Sequence, residues 1–288
     1  MPIEIKNLTH VYNPNSTFEK IALDDISLTI ADYSFTGLIG HTGSGKSTLI
    51  QHLNGLIKPT SGQILIDGQD IHSSKADYKR LRQTVGLVFQ YPEHQLFELT
   101  VYDDVAFGPK NMGLSKDEIG IRVRGALEAT GIPESMHGKS PFDLSGGQKR
   151  RVAIAGVLAM QPRILILDEP TAGLDPRGRD EILERIQQMH EQLQLTIILV
   201  SHSMEEISRF ADTLVVMNNS KIAYSGSPRE IFIHSRELES IGLAAPQASM
   251  LMHKLRDAGF DVPLDVFTVK DAVDVLKGLS TLKGYINS

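Results

Sequence analysis

The chain has 288 residues, 41% hydrophobic and 22% charged, with a formal net charge of −6; this allows two domains, or one large domain with an appendage, and a sizeable core. The acidic balance argues against a general nucleic-acid or anionic-membrane surface, and the absence of cysteine removes disulfides, thiolate nucleophiles and Cys-based metal sites. No run approaches the ~20 apolar residues of a membrane-spanning helix and MPIEIKNLTHVYNP lacks the apolar block of a signal peptide, so a cytosolic chain that meets a membrane only through a partner is expected.

The opening reads as strand and turn. IEIKNLTHVY alternates apolar and polar residues, NPNS is a turn cluster, and ALDDISLTI alternates again. FTGLIG is a short apolar run that ends in a glycine-rich loop, and STLIQHLNGL continues as a helix. SGQILIDGQDI predicts a hairpin and TVGLVFQ a buried strand. The middle of the chain changes character: TVYDDVAFGPKNM and SKDEIGIRVRGALEATGI read as helices, the second with Ser115 and Glu118 at capping-box spacing. Residues from about 91 to 160 therefore form a mostly helical insert, running into a helix behind LSGGQ. RILILDEP and LTIILVSH are apolar runs separated by the amphipathic DEILERIQQMHEQL, the alternation of a parallel α/β sheet. DTLVVMNNSKIAYSG is a hairpin with an NNSK turn. PQASMLMHKLRDAG and TVKDAVDVLKGL, the latter capped by Thr268 with Asp271, read as two short helices of a small C-terminal appendage over residues 236–288, following a main domain over 1–235.

Five features of this layout carry chemistry. GHTGSGKST comprises Gly40, His41, Thr42, Gly43, Ser44, Gly45, Lys46, Ser47 and Thr48, between a strand and a helix. It matches the phosphate-binding G-x-x-x-x-G-K-[ST], in which backbone N–H groups and the helix N-terminus face phosphate oxygens. Lys46 would reach the β- and γ-phosphates and Ser47 would offer a hydroxyl to Mg²⁺. RILILDEP ends an apolar strand in Asp168 and Glu169, where α/β sheets bind ligands: Asp168 to hold Mg²⁺ through water, Glu169 to orient or deprotonate an attacking water. His202, at the end of LTIILVSH, is placed to contact the γ-phosphate, and Gln90, at the end of VGLVFQ, to reach Mg²⁺ or the attacking water. LSGGQKRR is a second glycine-serine turn with a basic helix behind it.

Taken together, GHTGSGKST, Gln90, LSGGQ, ILILDEP, AGLD (Ala172 to Asp175) and His202 stand in the order of ABC-transporter ATPase domains, a resemblance that covers roughly residues 1–235. VYNPNSTFEKIALDDISL, QYPEHQLFELTVYDDVAFGPKNMG and FDLSGGQKRRVAIAGVLAMQPRILILDEPTAGLDP resemble the energy-coupling factor (ECF) branch, and its second paralogous ATPase in particular. AIAGVL carries Gly156 where many ABC domains have Arg; the ECF branch shares this.

The resemblance implies an α/β P-loop fold with a mostly parallel core sheet, an antiparallel β subdomain and a helical subdomain. It also implies ATP and Mg²⁺ as cofactors, and adenine stacking on Tyr12. Two ATPases would face each other head to tail, so that Ser145, Gly146, Gly147 and Gln148 of one chain serve the γ-phosphate held by the other, and Asp175 sits in a loop that communicates across the pair. The implied partners are a second ECF ATPase, a membrane coupling (T-type) subunit and interchangeable substrate-binding (S-type) subunits, at the cytoplasmic face of the cell membrane, with no nucleic acid. The expected activity is ATP hydrolysis that drives uptake of vitamins or transition-metal ions. Glu93, Gln95, Leu96 and Phe97, just past Gln90, are expected to expose a mixed surface on which a helix of the coupling subunit docks. A soluble ABC ATPase of DNA repair or translation is the alternative; the single motif set, the absence of long heptads and the acidic balance stand against it.

Overall fold

The computed structural model describes residues 2–74 and 76–279; the last nine residues of the expected appendage lie outside the described residues. Strands β1 (Ile3–Tyr12) and β2 (Lys20–Ile30) pair antiparallel, and β3 (Phe35–Gly40) leads through the glycine loop into helix α1 (Lys46–Leu53). The hairpin β4 (Ser61–Ile66) and β5 (Gln69–Asp70) follows, then α2 (Tyr78–Thr84) and β6 (Val85–Val88). The insert contains α3 (Val101–Met112), α4 (Lys116–Ala129) and α5 (Gly146–Leu158). The chain returns through β7 (Ile164–Asp168), α6 (Pro176–Leu193), β8 (Thr196–Val200), α7 (Met204–Phe210) and the hairpin β9 (Thr213–Asn218) and β10 (Lys221–Gly226). Helices α8 (Pro228–Phe232), α9 (Ser235–Ser240), α10 (Gln247–Asp257) and α11 (Val269–Gly278) follow toward the C-terminus.

Two sheets organise these elements. One is four-stranded and antiparallel, in the order β2-β1-β4-β5; the other is six-stranded, in the order β10-β9-β3-β8-β7-β6, and parallel except for the β9–β10 hairpin. β7 and β8 read as unbroken apolar runs because the parallel sheet is covered on both faces. On one face Ile3, Leu8, Ile64, Leu49, Ile50 and Leu53 join the antiparallel sheet and α1 to the main sheet. On the other, Val105, Val123, Val152, Ile182, Ile186 and Leu199 join the insert and α6 to it. Phe232, Leu238 and Leu243 belong to this second core, whereas Ala248, Met252, Val262, Val266 and Ala272 form a small core of their own.

Local signals act as the sequence suggests. Ser115 and Glu118 form the capping box of α4, and Thr268 caps α11 by accepting from the Asp271 N–H. The NNSK turn holds Asn219 and Ser220 at φ 47° and 65°, the left-handed pair that matches the twist of a two-residue hairpin. Helix α2 lies outside the sequence reading: YKRLRQT buries only Leu81, too little apolar periodicity to announce a helix, and it is begun by Asp77 accepting from the Arg80 N–H.

Candidate functional site

The site is built at the C-terminal ends of parallel strands, where carbonyl-terminated ladders give way to helix N-termini. β3 delivers the glycine loop. Gly45 has φ 107°, and a Cβ there would lie 2.4 Å from the Ala22 carbonyl oxygen, so the loop's turn into α1 requires glycine. His41 fastens the loop by bonding Asn218 Oδ1 at 2.9 Å through Nε2. Lys46 is buried and its Nζ donates to the carbonyls of Gly40 and His41 at 2.6 and 3.0 Å, lying along the concave side of its own loop. Burial lowers the Lys46 pKa, opposed by the Glu169 and Asp168 charges. Ser47 is exposed at the first turn of α1, while Ser44 Oγ is buried with no hydrogen-bond partner.

Neighbouring strands bring three of the expected site residues together. β6, β7 and β8 lie side by side, and Gln90, Glu169 and His202 follow their ends. Gln90 Nε2 donates to Glu169 Oε2 at 2.7 Å, and His202 Nε2 pairs with Glu169 Oε1. Glu169 adopts a left-handed backbone, φ 49°, held by its N–H donating to the Val200 carbonyl at 3.0 Å. That twist takes its carboxylate off the strand line and between the other two groups. Asp168 sits one residue earlier; burial and the Glu169 charge push its pKa up to about 6, against the pull of Lys46 and His202. A half-buried carboxylate in that state gains most from a cation beside it.

Ser47 hydroxyl, Gln90 amide and Asp168 carboxylate are all oxygen donors, the set a hard divalent ion such as Mg²⁺ takes together with phosphate oxygens. Among the described residues no group of three or more His, Cys, Asp and Glu could hold a metal alone. The oxygen atoms of Ser47, Gln90 and Asp168 fit such an ion with phosphate oxygens completing its shell.

Tyr12 ends β1 beside this loop, 37% exposed, with its hydroxyl 3.3 Å from Thr48 Oγ1. Its ring meets His10 edge-on at 4.5 Å. Behind it runs a row of histidines. His52, fully buried in α1, donates from Nδ1 to the Thr48 carbonyl at 2.7 Å, while its Nε2 faces His10 Nδ1 at 3.2 Å; His72 Nε2 donates to the His52 carbonyl at 3.0 Å. Nothing in the sequence marks this row, because the three positions come from different elements.

In the LSGGQ turn, the signature turn of the ABC resemblance, Ser145 and Gly146 are exposed. Ser145 Oγ accepts from the Gln148 N–H at 3.3 Å and Gln148 Oε1 accepts from the Ser145 N–H at 3.0 Å, a capping box that starts α5. Gly146 and Gly147 face open space, and no described hydrogen bond of Ser145 reaches the chain's own phosphate loop. Asp175 caps α6, accepting from the Gly178 N–H at 2.7 Å.

The stretch past Gln90 differs from the sequence expectation. Gln95 and Phe97 are exposed, Phe97 by 58%, but Leu96 is buried at 8% in the insert's core. Glu93 is turned inward onto Arg150, whose own burial demands a carboxylate. The surface here is instead an apolar groove of about 710 Å³, walled by Phe97, Phe107, Val157 and Met160 and rimmed by Lys79 and Arg82. The burial of Arg150 was not legible: its position in QKRR suggests only a basic helix face.

A phosphate loop, a strand-end Gln–Glu–His cluster and an outward-facing signature turn on one chain define an ATPase domain of the ABC transporter class. The ABC transporter family model matches residues 23–172. The chain belongs to the ECF transporter ATP-binding proteins of that family. It is 55% identical over 272 residues, 94% of its length and 95% of the relative's, to the energy-coupling factor transporter ATP-binding protein EcfA2 of Caldanaerobacter subterraneus subsp. tengcongensis. It is 54% identical to the protein of that name from Clostridium acetobutylicum, over 98% of this chain and 100% of that one. Among solved structures, cbiO1 from Clostridium perfringens, part of the ABC transporter complex cbiONQ, superposes with TM-score 0.74 at 42% identity, covering 87% of this chain and 98% of that one. An ATP-binding cassette solved as a dimer in a post-hydrolysis state, bound to ADP and Pi, superposes with TM-score 0.69 at 28% identity, covering 78% and 98%.

Proposed function

We propose that this chain is the ATP-hydrolysing motor subunit of an ECF-type importer, and that it works in a head-to-tail pair with a second, similar ATPase. The observation that carries the reading is the convergence of Gln90 and His202 on the two carboxylate oxygens of Glu169, at the strand ends beside the Lys46 loop.

The residues divide the work by position. The loop from Gly40 to Thr48 and the N-terminus of α1 hold the nucleotide phosphates, and Lys46 turns from its own carbonyls to them. Tyr12 offers a face to the adenine. Ser47, Gln90 and Asp168 would hold Mg²⁺, which when bound neutralises charge on the β- and γ-phosphates. Glu169 takes a proton from the attacking water at one carboxylate oxygen, oriented by Gln90 and His202, and His202 faces the γ-phosphate. Ser145, Gly146, Gly147 and the positive end of α5 close over the γ-phosphate of the partner's nucleotide, with Gln148 completing the turn and Asp175 at the seam.

ATP thus touches both chains only in the closed pair, and loss of the γ-phosphate reopens it. Moving such a pair from 1:99 to 99:1 takes ~5.5 kcal/mol of differential binding. The groove beside Phe97 would seat a helix of a membrane coupling subunit, passing the closure to substrate-binding membrane subunits at the cytoplasmic face. The appendage beyond residue 235 would support pairing of the ATPases.

Two measurements test this. Mild-detergent co-purification from native membranes should bring down a second ATPase with small integral membrane proteins; soluble partners alone would remove the transport role. Glu169→Gln should retain ATP binding and lower turnover by about 10²–10⁴-fold, the span of general-base catalysis; a variant as fast as wild type would take Glu169 out of the chemistry.

A further inference from the structure

Arg150 lies in the second turn of α5, five residues past Ser145, with 2% of its surface exposed. A guanidinium cannot shed its charge, so such burial stands only with partners for its donors. Nε donates to Glu93 Oε2 at 3.1 Å and Nη2 to Glu93 Oε1 at 2.7 Å, a two-pronged pair. Nη1 donates to the carbonyls of Pro170 and Ala172, at 2.9 and 2.8 Å.

Those partners, one side-chain carboxylate and two backbone carbonyls, lie in the segments that follow Gln90 and Glu169. Glu93 stands three residues past Gln90, in the short turn Pro92–Gln95. Pro170 follows Glu169 directly, and Ala172 lies two residues further. Arg150's helix begins at the signature turn. One side chain thus spans the segment that follows Gln90, the segment that follows Glu169, and the helix whose N-terminus carries Ser145. Burial raises the Glu93 pKa, but the hydrogen bonds and charge of Arg150, with a backbone hydrogen bond and the His94 charge, together outweigh it and hold the group below the ordinary carboxylate value, so the pair stays charged at neutral pH. Among the described residues, the hydrogen bonds of Arg150 go to Glu93, Pro170 and Ala172 and none to the nucleotide loop.

We propose that Arg150 is a positioning residue that couples the chain's own ATP site to the signature turn it offers its partner, so that the two ATP sites of the pair act in concert. This rests on the head-to-tail pairing proposed above. A shift of Gln90 or Glu169 during turnover moves Glu93 or the Pro170 carbonyl; the rigid guanidinium fork passes that shift to α5, and Ser145 moves with the helix end. Lysine, a point charge without the fork, would keep the charge and lose the geometry.

The test uses the full chain with its partner ATPase and membrane subunits, comparing wild type, Arg150→Lys, Glu93→Gln and the double variant. ATP affinity of the chain alone, kcat, the Hill coefficient for ATP and the urea midpoint are measured together. Both single variants are expected to bind ATP within about twofold of wild type, to lose about tenfold in kcat, and to drop the Hill coefficient from above one to one, with the double variant no worse than either single. A wild-type Hill coefficient of one, or one that survives in both variants while kcat falls in step with the urea midpoint, overturns the proposal. Glu93→Gln preserves size and one acceptor, so it decides the matter should Arg150→Lys not fold. ATP-dependent association with the partner ATPase is measured alongside: its absence in wild type sinks the pairing itself, whereas association with an unchanged Hill coefficient sinks only the coupling role.

Discussion

Acidification should loosen this fold through His52. The ring is fully buried, its Nδ1–H engaged by the Thr48 carbonyl and its Nε2 facing the His10 Nδ1. Because His10 Nδ1 also lies 3.1 Å from the Lys58 carbonyl, it carries a hydrogen, and His52 Nε2 must accept. A proton on that atom would face another N–H inside the core. Burial is the main cause, helped by the His10 and His72 charges, and together they lower the His52 pKa from 6.5 to about 4. The unfolded chain therefore binds the proton more readily, so this contribution to stability is whole above the unfolded pKa and is lost as pH falls from 6.5 toward about 4. Between neutrality and about pH 5 the linkage amounts to about 2 kcal/mol. Urea unfolding of wild type and His52→Gln, at about pH 7.5 and about pH 5, measures it: the variant cannot titrate there, and other groups cancel to first order between the two proteins. Wild type should lose about 2 kcal/mol more than the variant on acidification. Equal losses would refute the reasoning and move the acid sensitivity elsewhere.

Two further outcomes follow from the site and its surroundings. Gly45→Ala should abolish nucleotide binding while leaving a folded chain, because the added methyl meets the Ala22 carbonyl in a backbone conformation that L-residues rarely adopt; titration with a fluorescent ATP analogue reads this, and wild-type affinity would contradict it. Placing a charge in the apolar groove with Val157→Glu should cut co-purification with the membrane subunits by at least about tenfold, while the ATPases still pair; retained membrane subunits would place the coupling surface elsewhere.

The fold was legible wherever chemistry or periodicity is local. β3 with its glycine loop, β7 with Asp168 and Glu169, β8 with His202 and the capped start of α4 each announce themselves within about ten residues. Sequence order could not give side-chain direction in irregular segments. Leu96 was expected at the surface, yet its place in the turn after Gln90 points it into the insert's core, while its neighbour Phe97 faces out. Arg150, Glu93 and the histidine row escaped for a related reason. Their partners lie far along the chain, 57 residues apart for Glu93 and Arg150 and 42 for His10 and His52, and no spacing rule encodes such pairs. Helix α2 escaped through weak amphipathicity.

The position of β3 also bears on how the chain is made. It is buried along its whole length, and its neighbours in the sheet are β8 and β9. Roughly 150 residues must leave the ribosome between the end of β3 and the start of β8, and at about 5–20 residues per second that interval is on the order of 10–30 s. Throughout it, the strand that will carry the phosphate loop is an apolar segment with both edges unpaired. Until β8 and β9 emerge, early in the last third of the chain, the nascent protein thus exposes a strand whose unpaired edges and apolar faces favour aggregation, and slowed translation in that interval lengthens the exposure.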